Sequence, residues 1–277
     1  MSAPEEDRMS DGFTLEKFAQ HPFYQEVNRR LVALTGLHRG QSVVDLGAGT
    51  GAVTRLLVEQ VGSPGAEVIA IEPSESALEA AKRNLENISD AVVRFVQGGA
   101  EKLSLLVKKP VDAIFFCNAI HLVPEKEQVL LQIKRTLRED GTFSFNTSFY
   151  DGAEPLEAEQ FYRKWMMRAL RALKSEYNIM PQRTRVEARH RLSEAEYVKL
   201  LEESGFKIRS KEVVTVQVPL GGFEDISRYS LWIEGVLPGV PLEAGRESLI
   251  AGAREAFKEL GLKSSPRNWL LIVASRA

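Results

Sequence analysis

The residues with the clearest chemistry lie in a glycine-dense turn and at one acidic position beyond it. Residues 43–52 read VVDLGAGTGA, an apolar strand that runs into glycines, and a second apolar strand, Val68–Ile71, ends at Glu72. Glycines let a backbone take positive φ and approach a ligand closely, and a carboxylate at a strand end can accept hydrogen bonds from ribose hydroxyls. This spacing predicts a βαβ unit that binds an adenosine-containing cofactor.

The turn fits the patterns of two cofactors. Residues 47–52 match the loose dinucleotide pattern G-x-G-x-x-A, whereas residues 45–51 read D-x-G-x-G-x-G, the pattern of S-adenosylmethionine (SAM) sites. Asp45 precedes the first glycine, where a carboxylate would oppose a pyrophosphate but suits a zwitterionic ligand that bears a sulfonium. The amphipathic segment Tyr24–Leu37 is long enough for a helix that lies over a cofactor. These features favour SAM, with NAD as the alternative.

Apolar strands alternate with helical stretches around this turn. The strand-like runs are residues 42–46, 68–71, 92–96, 111–116 and 142–147. Such alternation predicts a parallel sheet with helices on both faces, in which ligands sit beyond the carboxyl ends of the strands. Glu72, Gly99, Asn118 and His121 all fall at such ends. We also expect a helix to begin at Ser76, because Ser76-x-x-Glu79 matches a capping box.

Over residues 40–150 the chain resembles the class I SAM-dependent methyltransferases. The resemblance is carried by the glycine turn, by Glu72, and by the strand ends at Gly98–Glu101 and Cys117–Leu122. It implies an α/β fold with a doubly wound, mostly parallel seven-stranded sheet, Rossmann-like, with helical cap insertions. Two later strand-like runs fit the last two strands of that fold: residues 207–218 and 269–275.

The same resemblance suggests how the chain is divided. We expect a disordered N-terminal arm at 1–12 and a SAM-binding core with an N-terminal cover helix at 13–150. A helical cap insertion follows at 151–192, and the C-terminal part of the core occupies 193–277. A second helical insertion, at about 222–262, interrupts that last part. Neither insertion has a strand pattern, and both are expected over the mouth of the pocket.

The resemblance also implies a set of cofactor contacts. The glycine turn would shape the methionine side, the end of the second strand would bind ribose, the turn near Gly99 would flank adenine, and an aromatic residue of the cover helix would close the site. Many relatives place an aspartate where this chain has Gly99, so Gln97, Glu101 or a backbone carbonyl would have to contact the adenine. The expected cofactor-binding residues are Asp45, Gly47, Ala48, Gly49, Gly51, Glu72, Pro73, Gly99, Ala100, Glu101, Asn118 and Tyr24.

One histidine is placed to act on a substrate. Of the four histidines, His121 follows an apolar strand at the predicted catalytic edge, and it is the candidate general base. The alternative is a structural histidine that caps the helix after Pro124. His21, before the cover helix, is a weaker substrate-contact candidate, and Cys117 is expected to be a buried strand-end residue and not a nucleophile.

Aromatic and basic residues of the insertions are the candidates for acceptor binding. Tyr162, Trp165 and Met166 recur at helical spacing, and Trp232 lies in the second insertion. They form either an apolar substrate lid or the packed face of an amphipathic helix. Residues 163–191 hold nine Lys or Arg against two acids, which would attract an anionic or carrier-bound acceptor or would merely be a solvated face.

Composition excludes several classes of protein. The formal net charge of −2 and the pI near 6.2 do not suit a general nucleic-acid binder. The segment after Asn118 also lacks the prolines and the aromatic residue that amino-methylating enzymes use on bases and amides. No run approaches the roughly 18 apolar residues of a membrane span, and no Cys/His cluster indicates a metal. The single cysteine and the polar, acidic N-terminus predict a cytoplasmic protein with no secretory signal.

The sequence therefore predicts a SAM-dependent methyltransferase that acts on an oxygen, carbon or nitrogen of a small, partly apolar acceptor. It predicts no nucleic-acid, membrane or metal partner, and it leaves the oligomeric state open. The alternatives are an NAD-dependent oxidoreductase and a non-catalytic scaffold that retains the cofactor fold.

Overall fold

The computed structural model describes residues 15–87, 92–182 and 191–277 and contains one seven-stranded sheet. Its strands are β1 Ser42–Leu46, β2 Glu67–Glu72, β3 Val92–Gln97, β4 Val111–Cys117, β5 Leu137–Thr147, β6 Phe206–Pro219 and β7 Ser264–Arg276. The order across the sheet is β3-β2-β1-β4-β5-β7-β6. Neighbours among β1 to β5 pair in parallel, whereas β7 pairs antiparallel with β5. The predicted mostly parallel seven-stranded α/β fold is confirmed.

Helices connect the parallel strands and fill the two long stretches that lack a strand pattern. They are α1 Glu16–Ala19, α2 Pro22–Thr35, α3 Ala52–Val61, α4 Glu75–Leu85, α5 Leu103–Leu106, α6 Lys126–Thr136, α7 Glu159–Tyr177, α8 Glu194–Glu203, α9 Leu220–Ile226, α10 Ser230–Val236 and α11 Leu242–Leu260. No helix among the described residues is long and apolar enough to cross a membrane. The N-terminal arm expected at 1–12 lies outside the described residues.

Two compact units make up the chain. The first, the sheet unit, comprises Tyr24–Asp151, Leu192–Val214 and Trp269–Ala277. The second, the helical unit, comprises Met1–Phe23, Gly152–Arg191 and Thr215–Asn268, as far as these are described. α7, α9, α10 and α11 belong to the helical unit, and the stretches expected to be insertions are therefore mainly helical.

The sheet unit is built on strands that are apolar on both faces. Val43 and Val44 of β1 and Ile114 and Phe115 of β4 are fully buried. Parallel strands covered by helices on both sides read as continuous apolar runs, which explains why these segments lack the alternation of a half-exposed strand. Their carboxyl ends carry the polar residues of the candidate site.

The start of α4 differs from the prediction. The helix begins after Ser74, whose extended backbone and side-chain oxygen form the N-cap by accepting the N–H of Ala77 at 3.1 Å. Ser76 lies inside the first turn, so the capping box predicted there is wrong. The observed cap, Ser74, lies only two residues after Glu72, so α4 begins close to the end of β2.

The helical unit is held together by a close crossing of α7 and α11. A Cβ at Gly252 would lie 2.6 Å from the backbone nitrogen of Ala169 and 2.8 Å from the carbonyl oxygen of Trp165, so glycine permits the approach. The Trp165 indole donates to the carbonyl of Leu249 at 2.8 Å across the same crossing. This packing gives the unit a core of its own.

Candidate active site

The glycine turn after β1 is locked to the end of β2. Gly47, Gly49 and Gly51 have φ of 71°, 53° and 86°, a region that other residues rarely adopt. The backbone N–H groups of Gly47 and Ala48 donate to the Ile71 carbonyl at 2.8 and 3.0 Å. A Cβ at Gly49 would meet no atom within 4 Å, so open space borders the turn at that glycine. The turn therefore offers a fixed backbone beside room for a ligand.

Glu72 joins this turn to the start of α4. One carboxylate oxygen accepts the N–H of Gly49 at 2.8 Å, and the other accepts the N–H of Ser74 at 3.0 Å. Burial raises the pKa of Glu72, and the two backbone donors oppose that rise. Each carboxylate oxygen can accept more than one hydrogen bond, so both oxygens keep capacity for hydroxyl donors. The two bonds hold the side chain in one orientation.

Asp45 is buried at the end of β1 and faces α3. It is 1% exposed, and its Oδ2 accepts the hydroxyl of Thr54 at 2.7 Å. Burial raises the pKa of Asp45 to about 7; the Thr54 hydroxyl opposes that rise and the charge of Glu72 adds to it. A carboxyl with this pKa is readily ionised by a nearby cation, since an opposite charge favours the charged form.

The end of β3 lies at the same edge of the sheet as Glu72. The N–H of Gly98 donates to the Glu72 carbonyl at 3.1 Å, and the Gln97 amide donates to the Pro73 carbonyl at 3.3 Å. The Glu101 carboxylate folds back over Gly99, so a Cβ at that glycine would collide with it. An exposed carboxylate thus occupies the space that a side chain at position 99 would take. Ala100 opens the 3-10 turn that holds Glu101 there.

Asn118 stands at the end of β4 in a strained conformation. Its φ is 49°, and its backbone N–H donates to the Asn146 carbonyl at 2.9 Å. Its side-chain Oδ1 accepts the indole N–H of Trp269 at 3.1 Å and the backbone N–H of Ser148 at 3.3 Å. Asn146 continues the network by donating its side-chain amide to Asn28 Oδ1 at 2.8 Å.

Tyr24 of α2 lies against the same network. Its side chain is buried, and burial is the main cause that raises the pKa of its hydroxyl. The amides of Asn118 and Asn28 oppose that rise, so both lie near the hydroxyl. The predicted cover-helix aromatic therefore belongs to the polar cluster at the end of β4.

His121 is buried beside the end of β5. It is 4% exposed, its ring stacks on Phe149 at 4.1 Å between centroids, and its Nδ1 lies 3.4 Å from the Thr147 hydroxyl oxygen. Thr147 also accepts the backbone N–H of Phe149 at 3.0 Å, which fixes the position of its hydroxyl. The imidazole is therefore oriented by two neighbours, one of them polar.

Most substrate candidates of the insertions pack into the core of the helical unit. Trp165 is 1% exposed and stacks on Trp232 at 5.9 Å. Tyr162 accepts a hydrogen bond from Arg267 at 2.9 Å, and burial raises the pKa of its hydroxyl. Met166 is half-buried on the same helix. For Trp165 this placement favours the core-packing interpretation over a substrate lid.

The remaining polar candidates of this unit have partners of their own. His21 Nε2 lies 2.9 Å from the carboxylate of Asp225. Lys164 pairs with Glu259 at 2.7 Å, and Arg191 pairs with Glu154 at 2.8 Å. Part of the predicted positive surface is therefore neutralised locally. The basic residues at 183, 185 and 189 lie outside the described residues.

Three polar residues of the site have no counterpart in the sequence prediction. They are Asn146 of β5 and Trp269 of β7, which bond to Asn118, and Asn28 of α2, which bonds to Asn146. A signal was present for Asn28, which takes a position on the otherwise mostly apolar face of the amphipathic helix α2. No local pattern marks Trp269. Within the described part of the chain, no group of three or more His, Cys, Asp or Glu could hold a metal.

Comparison with known proteins identifies the family. The family model for a methyltransferase domain matches residues 37–205, more than half of the sequence. The chain belongs to that family. The prediction of a class I SAM-dependent methyltransferase family is confirmed, and the matched residues include the glycine turn, Glu72 and the Asn118 segment.

Named relatives share this region at moderate identity. A probable SAM-dependent methyltransferase of Saccharomyces cerevisiae, CRG1, is 37% identical over 111 residues, which are 39% of this chain and 36% of that protein. The ubiquinone/menaquinone biosynthesis C-methyltransferase UbiE of Escherichia fergusonii is 33% identical over 136 residues, 49% of this chain and 51% of that protein. The match thus spans between about a third and a half of the length of these relatives.

A solved structure supports the fold. Phosphoethanolamine N-methyltransferase 2 of Haemonchus contortus, in complex with phosphomonomethylethanolamine and S-adenosylhomocysteine (SAH), superposes with a TM-score of 0.56 at 17% identity. The alignment covers 95% of this chain and 56% of that one. At this identity the likeness concerns the fold alone.

Proposed function

We propose that this protein is a SAM-dependent methyltransferase that transfers a methyl group to an oxygen, carbon or nitrogen of a small, partly apolar acceptor. The observation that carries the proposal is Glu72, whose two oxygens are fixed by the N–H groups of Gly49 and Ser74 at the end of β2. This orients a carboxylate toward vicinal hydroxyls beside a positive-φ glycine turn, as binding of an adenosine ribose requires.

The residues of the turn and the strand ends divide the cofactor among them. Glu72 binds the ribose hydroxyls, Glu101 beside Gly99 accepts from the adenine amino group, and Asp45 provides a negative charge for the sulfonium end. When bound, SAM supplies an activated methyl for in-line transfer, so the protein's tasks are to bind, orient and exclude water. Asn118 lies beneath the methionine end and the reactive methyl.

A matched pair of variants on one strand tests the ribose assignment. Glu72→Gln removes the charge that strengthens its hydrogen bonds, and charge-assisted bonds contribute about 1.5–3 kcal/mol, so SAH should bind about 10- to 150-fold more weakly. Glu67→Gln, at the opposite end of β2, loses only an exposed pair with Arg94 and should bind SAH normally. Isothermal titration measures both dissociation constants.

The same titration separates the two cofactor classes. Wild-type protein should bind SAH and show no tight binding of NAD. Tight binding of NAD without binding of SAH would replace the methyltransferase with an oxidoreductase. An unchanged SAH affinity in E72Q would remove Glu72 from the ribose site.

His121 is the proposed general base for acceptors that keep a proton at neutral pH. Its ring is oriented by Phe149 and by the Thr147 hydroxyl, which leaves Nε2 as the nitrogen directed away from Thr147. General-base catalysis contributes typically about 10²- to 10⁴-fold. His121→Ala should lower kcat by that order while the dissociation constant of SAH stays within about twofold. Equal losses in both would assign the histidine a structural role.

The acceptor class completes the proposal. UbiE is named a C-methyltransferase and the nematode neighbour an N-methyltransferase, so carbon, nitrogen and oxygen stay open here. We propose a small acceptor, anionic or carrier-bound, no nucleic acid, and a cytoplasmic location. Incubation of cell extract with methyl-labelled SAM, followed by separation of labelled products, identifies the acceptor. Binding of SAH with no methyl release across many extracts would favour a non-catalytic scaffold.

A further inference from the structure

The last strand contributes a residue to the carboxyl edge of the sheet that the proposed function leaves unused. Trp269 of β7 is fully buried, and its indole Nε1 donates to Asn118 Oδ1 at 3.1 Å. The backbone N–H of Ser148 donates to the same oxygen at 3.3 Å. Two donors, one on β7 and one just after the end of β5, therefore hold the side-chain oxygen of Asn118.

Fixing that oxygen also fixes the direction of the amide nitrogen. The acceptor and donor groups of a side-chain amide lie on opposite arms, so donors on Oδ1 turn Nδ2 away from Trp269. Nδ2 is buried and makes no hydrogen bond within the described residues. Buried donors without an acceptor are rare and costly, and Asn118 also keeps a strained φ of 49°. Both features indicate an N–H that is held for a ligand.

The position of Asn118 in the sheet indicates which oxygens it can meet. The groups proposed to bind adenosine lie at the ends of β1, β2 and β3, on one side of β4 in the strand order. The partners of Asn118 lie at the end of β5 and within β7, on the other side. Asn118 therefore stands between the half of the edge that holds the cofactor and the half left for the acceptor.

We propose that Trp269 is a positioning residue whose indole N–H orients the Asn118 amide so that Nδ2 donates to an oxygen of the bound ligand. The inference rests on the proposed function, because the ligand is the cofactor or its methyl acceptor. A negatively polarised oxygen is the shared chemistry, and it has two sources. One is the carboxylate at the amino-acid end of the cofactor, and the other is an oxygen of the acceptor close to the methylated atom.

Among the described residues, Tyr24 is an internal competitor for the Asn118 N–H. The Tyr24 hydroxyl is near enough for the Asn118 amide to lower its pKa, although Nδ2 is not hydrogen-bonded to it. Tyr24→Phe therefore belongs in the test. If Tyr24 were the true acceptor, Y24F would move the Nδ2 proton resonances of Asn118 in the ligand-free protein and SAH or acceptor would not.

Nuclear magnetic resonance of asparagine side chains tests the positioning directly. With [¹⁵N]asparagine labelling, the Asn118 NH₂ pair is assigned by its loss in Asn118→Asp. In Trp269→Phe the two NH₂ resonances of Asn118 should shift or split into two sets, because Oδ1 loses its indole donor. Ser144→Ala is the matched control, since Ser144, on β5, is also buried. This substitution removes a hydroxyl that is hydrogen-bonded to the Thr35 hydroxyl at 2.8 Å. S144A should leave the pair unchanged.

A reciprocal measurement covers the case in which W269F does not fold. Asn118→Ala leaves β7 intact but removes the acceptor of the indole, so one of the three tryptophan indole N–H resonances should shift upfield. Indole resonances that stay in place in N118A would overturn the proposal, as would an Asn118 NH₂ pair that is identical in W269F and wild type.

Function is measured on the same variants. N118D keeps Oδ1 but replaces the donor with an oxygen, so N118D and W269F should each lose about tenfold or more in SAH affinity or in methyl release from an active extract. The double variant should lose little beyond N118D, because Trp269 acts through Asn118. Fully additive losses, or two variants that match wild type in both assays, would overturn the inference.

Ligand fragments separate the two sources of the oxygen. A loss for SAH but not for 5′-methylthioadenosine, which lacks the amino-acid end, assigns the oxygen to the cofactor. A loss in methyl release with normal SAH affinity assigns it to the acceptor. Failure of the wild-type protein to bind SAH would instead count against the proposed function, and it is seen before any variant is made.

Discussion

At the residue scale, the site combines two carboxylates with opposite tasks. Glu72 is fixed by two backbone donors and is the carboxylate proposed to bind ribose, whereas Asp45 is buried against Thr54. Burial makes the ionised form of Asp45 costly, which raises its pKa to about 7. A cationic ligand would relieve that cost, so binding energy and folding energy are linked at this position.

The pH dependence of unfolding tests this account of Asp45. An acid whose pKa is raised by folding, here from 3.8 to about 7, destabilises the native state increasingly as pH rises through that window, and the cost is constant above it. Asp45→Asn keeps an oxygen for the Thr54 hydroxyl but cannot ionise. We expect the free energy of unfolding of D45N to rise relative to that of wild type by a few kcal/mol between pH 4 and 8, roughly 1.36 kcal/mol per unit of pKa shift. Denaturant titrations across this range measure the difference.

A second variant sharpens that test. Thr54→Val removes the hydroxyl that opposes the rise in the Asp45 pKa, so the pH window in which the variant loses stability should extend to higher pH than in wild type. Parallel stability curves for wild type and D45N between pH 4 and 8 would contradict a raised pKa. D45N should also bind SAM less well than wild type does, since it lacks the negative charge that we propose for the sulfonium end of the cofactor.

At the element scale, most strands could be predicted from the sequence, whereas one helix start could not. The predicted strand at 111–116 is β4 within one residue, because buried apolar runs bounded by polar turns leave few alternatives. The cap of α4 was misplaced because Ser74 and Ser76 both precede helix-forming residues. Which serine caps the helix depends on the backbone of Ser74, which is extended and donates its N–H to Glu72.

Some residues of the candidate site could be predicted from the sequence, and others could not. The glycine turn, Glu72 and Asn118 follow strands in the sequence, so their meeting at one edge could be predicted. Trp269 lies 151 positions from its partner Asn118 and carries no motif. Its role depends on β7 pairing with β5 antiparallel, which periodicity alone does not reveal.

The packing of Gly51, in the turn between β1 and α3, against α4 can be tested by substitution. Gly51 has a φ of 86°, and a Cβ there would lie 2.9 Å from Leu85 of α4; Gly65, with a φ of 91°, has no atom within 4 Å of that position. Gly65→Ala should therefore cost only backbone strain, on the order of 1–3 kcal/mol. Gly51→Ala should cost more and weaken SAH binding, as measured by thermal unfolding and titration. Equal costs in both would mean that α3 and α4 are not packed through Gly51.

At the scale of the whole molecule, the cofactor edge is assembled from segments far apart in the chain. The ends of β1, β2, β3 and β4 meet only when the sheet has formed, and the Asn118 network adds α2, β5 and β7. An unfolded chain offers no such site. A ligand of this edge must therefore stabilise the folded protein in proportion to its affinity and concentration.

Thermal unfolding with different nucleosides tests that dependence. SAH at about 100 times its dissociation constant should add about 2.7 kcal/mol to the free energy of unfolding, which raises Tm by several degrees in a chain of this length. NAD at the same concentration should leave Tm unchanged, and the Glu72→Gln variant should require more SAH for the same shift. Because the N–H groups of Gly49 and Ser74 both donate to Glu72, the shift should come with slowed amide exchange at the glycine turn and at the start of α4 together. Protection at only one of them would mean that the ligand does not bridge the turn and the start of α4.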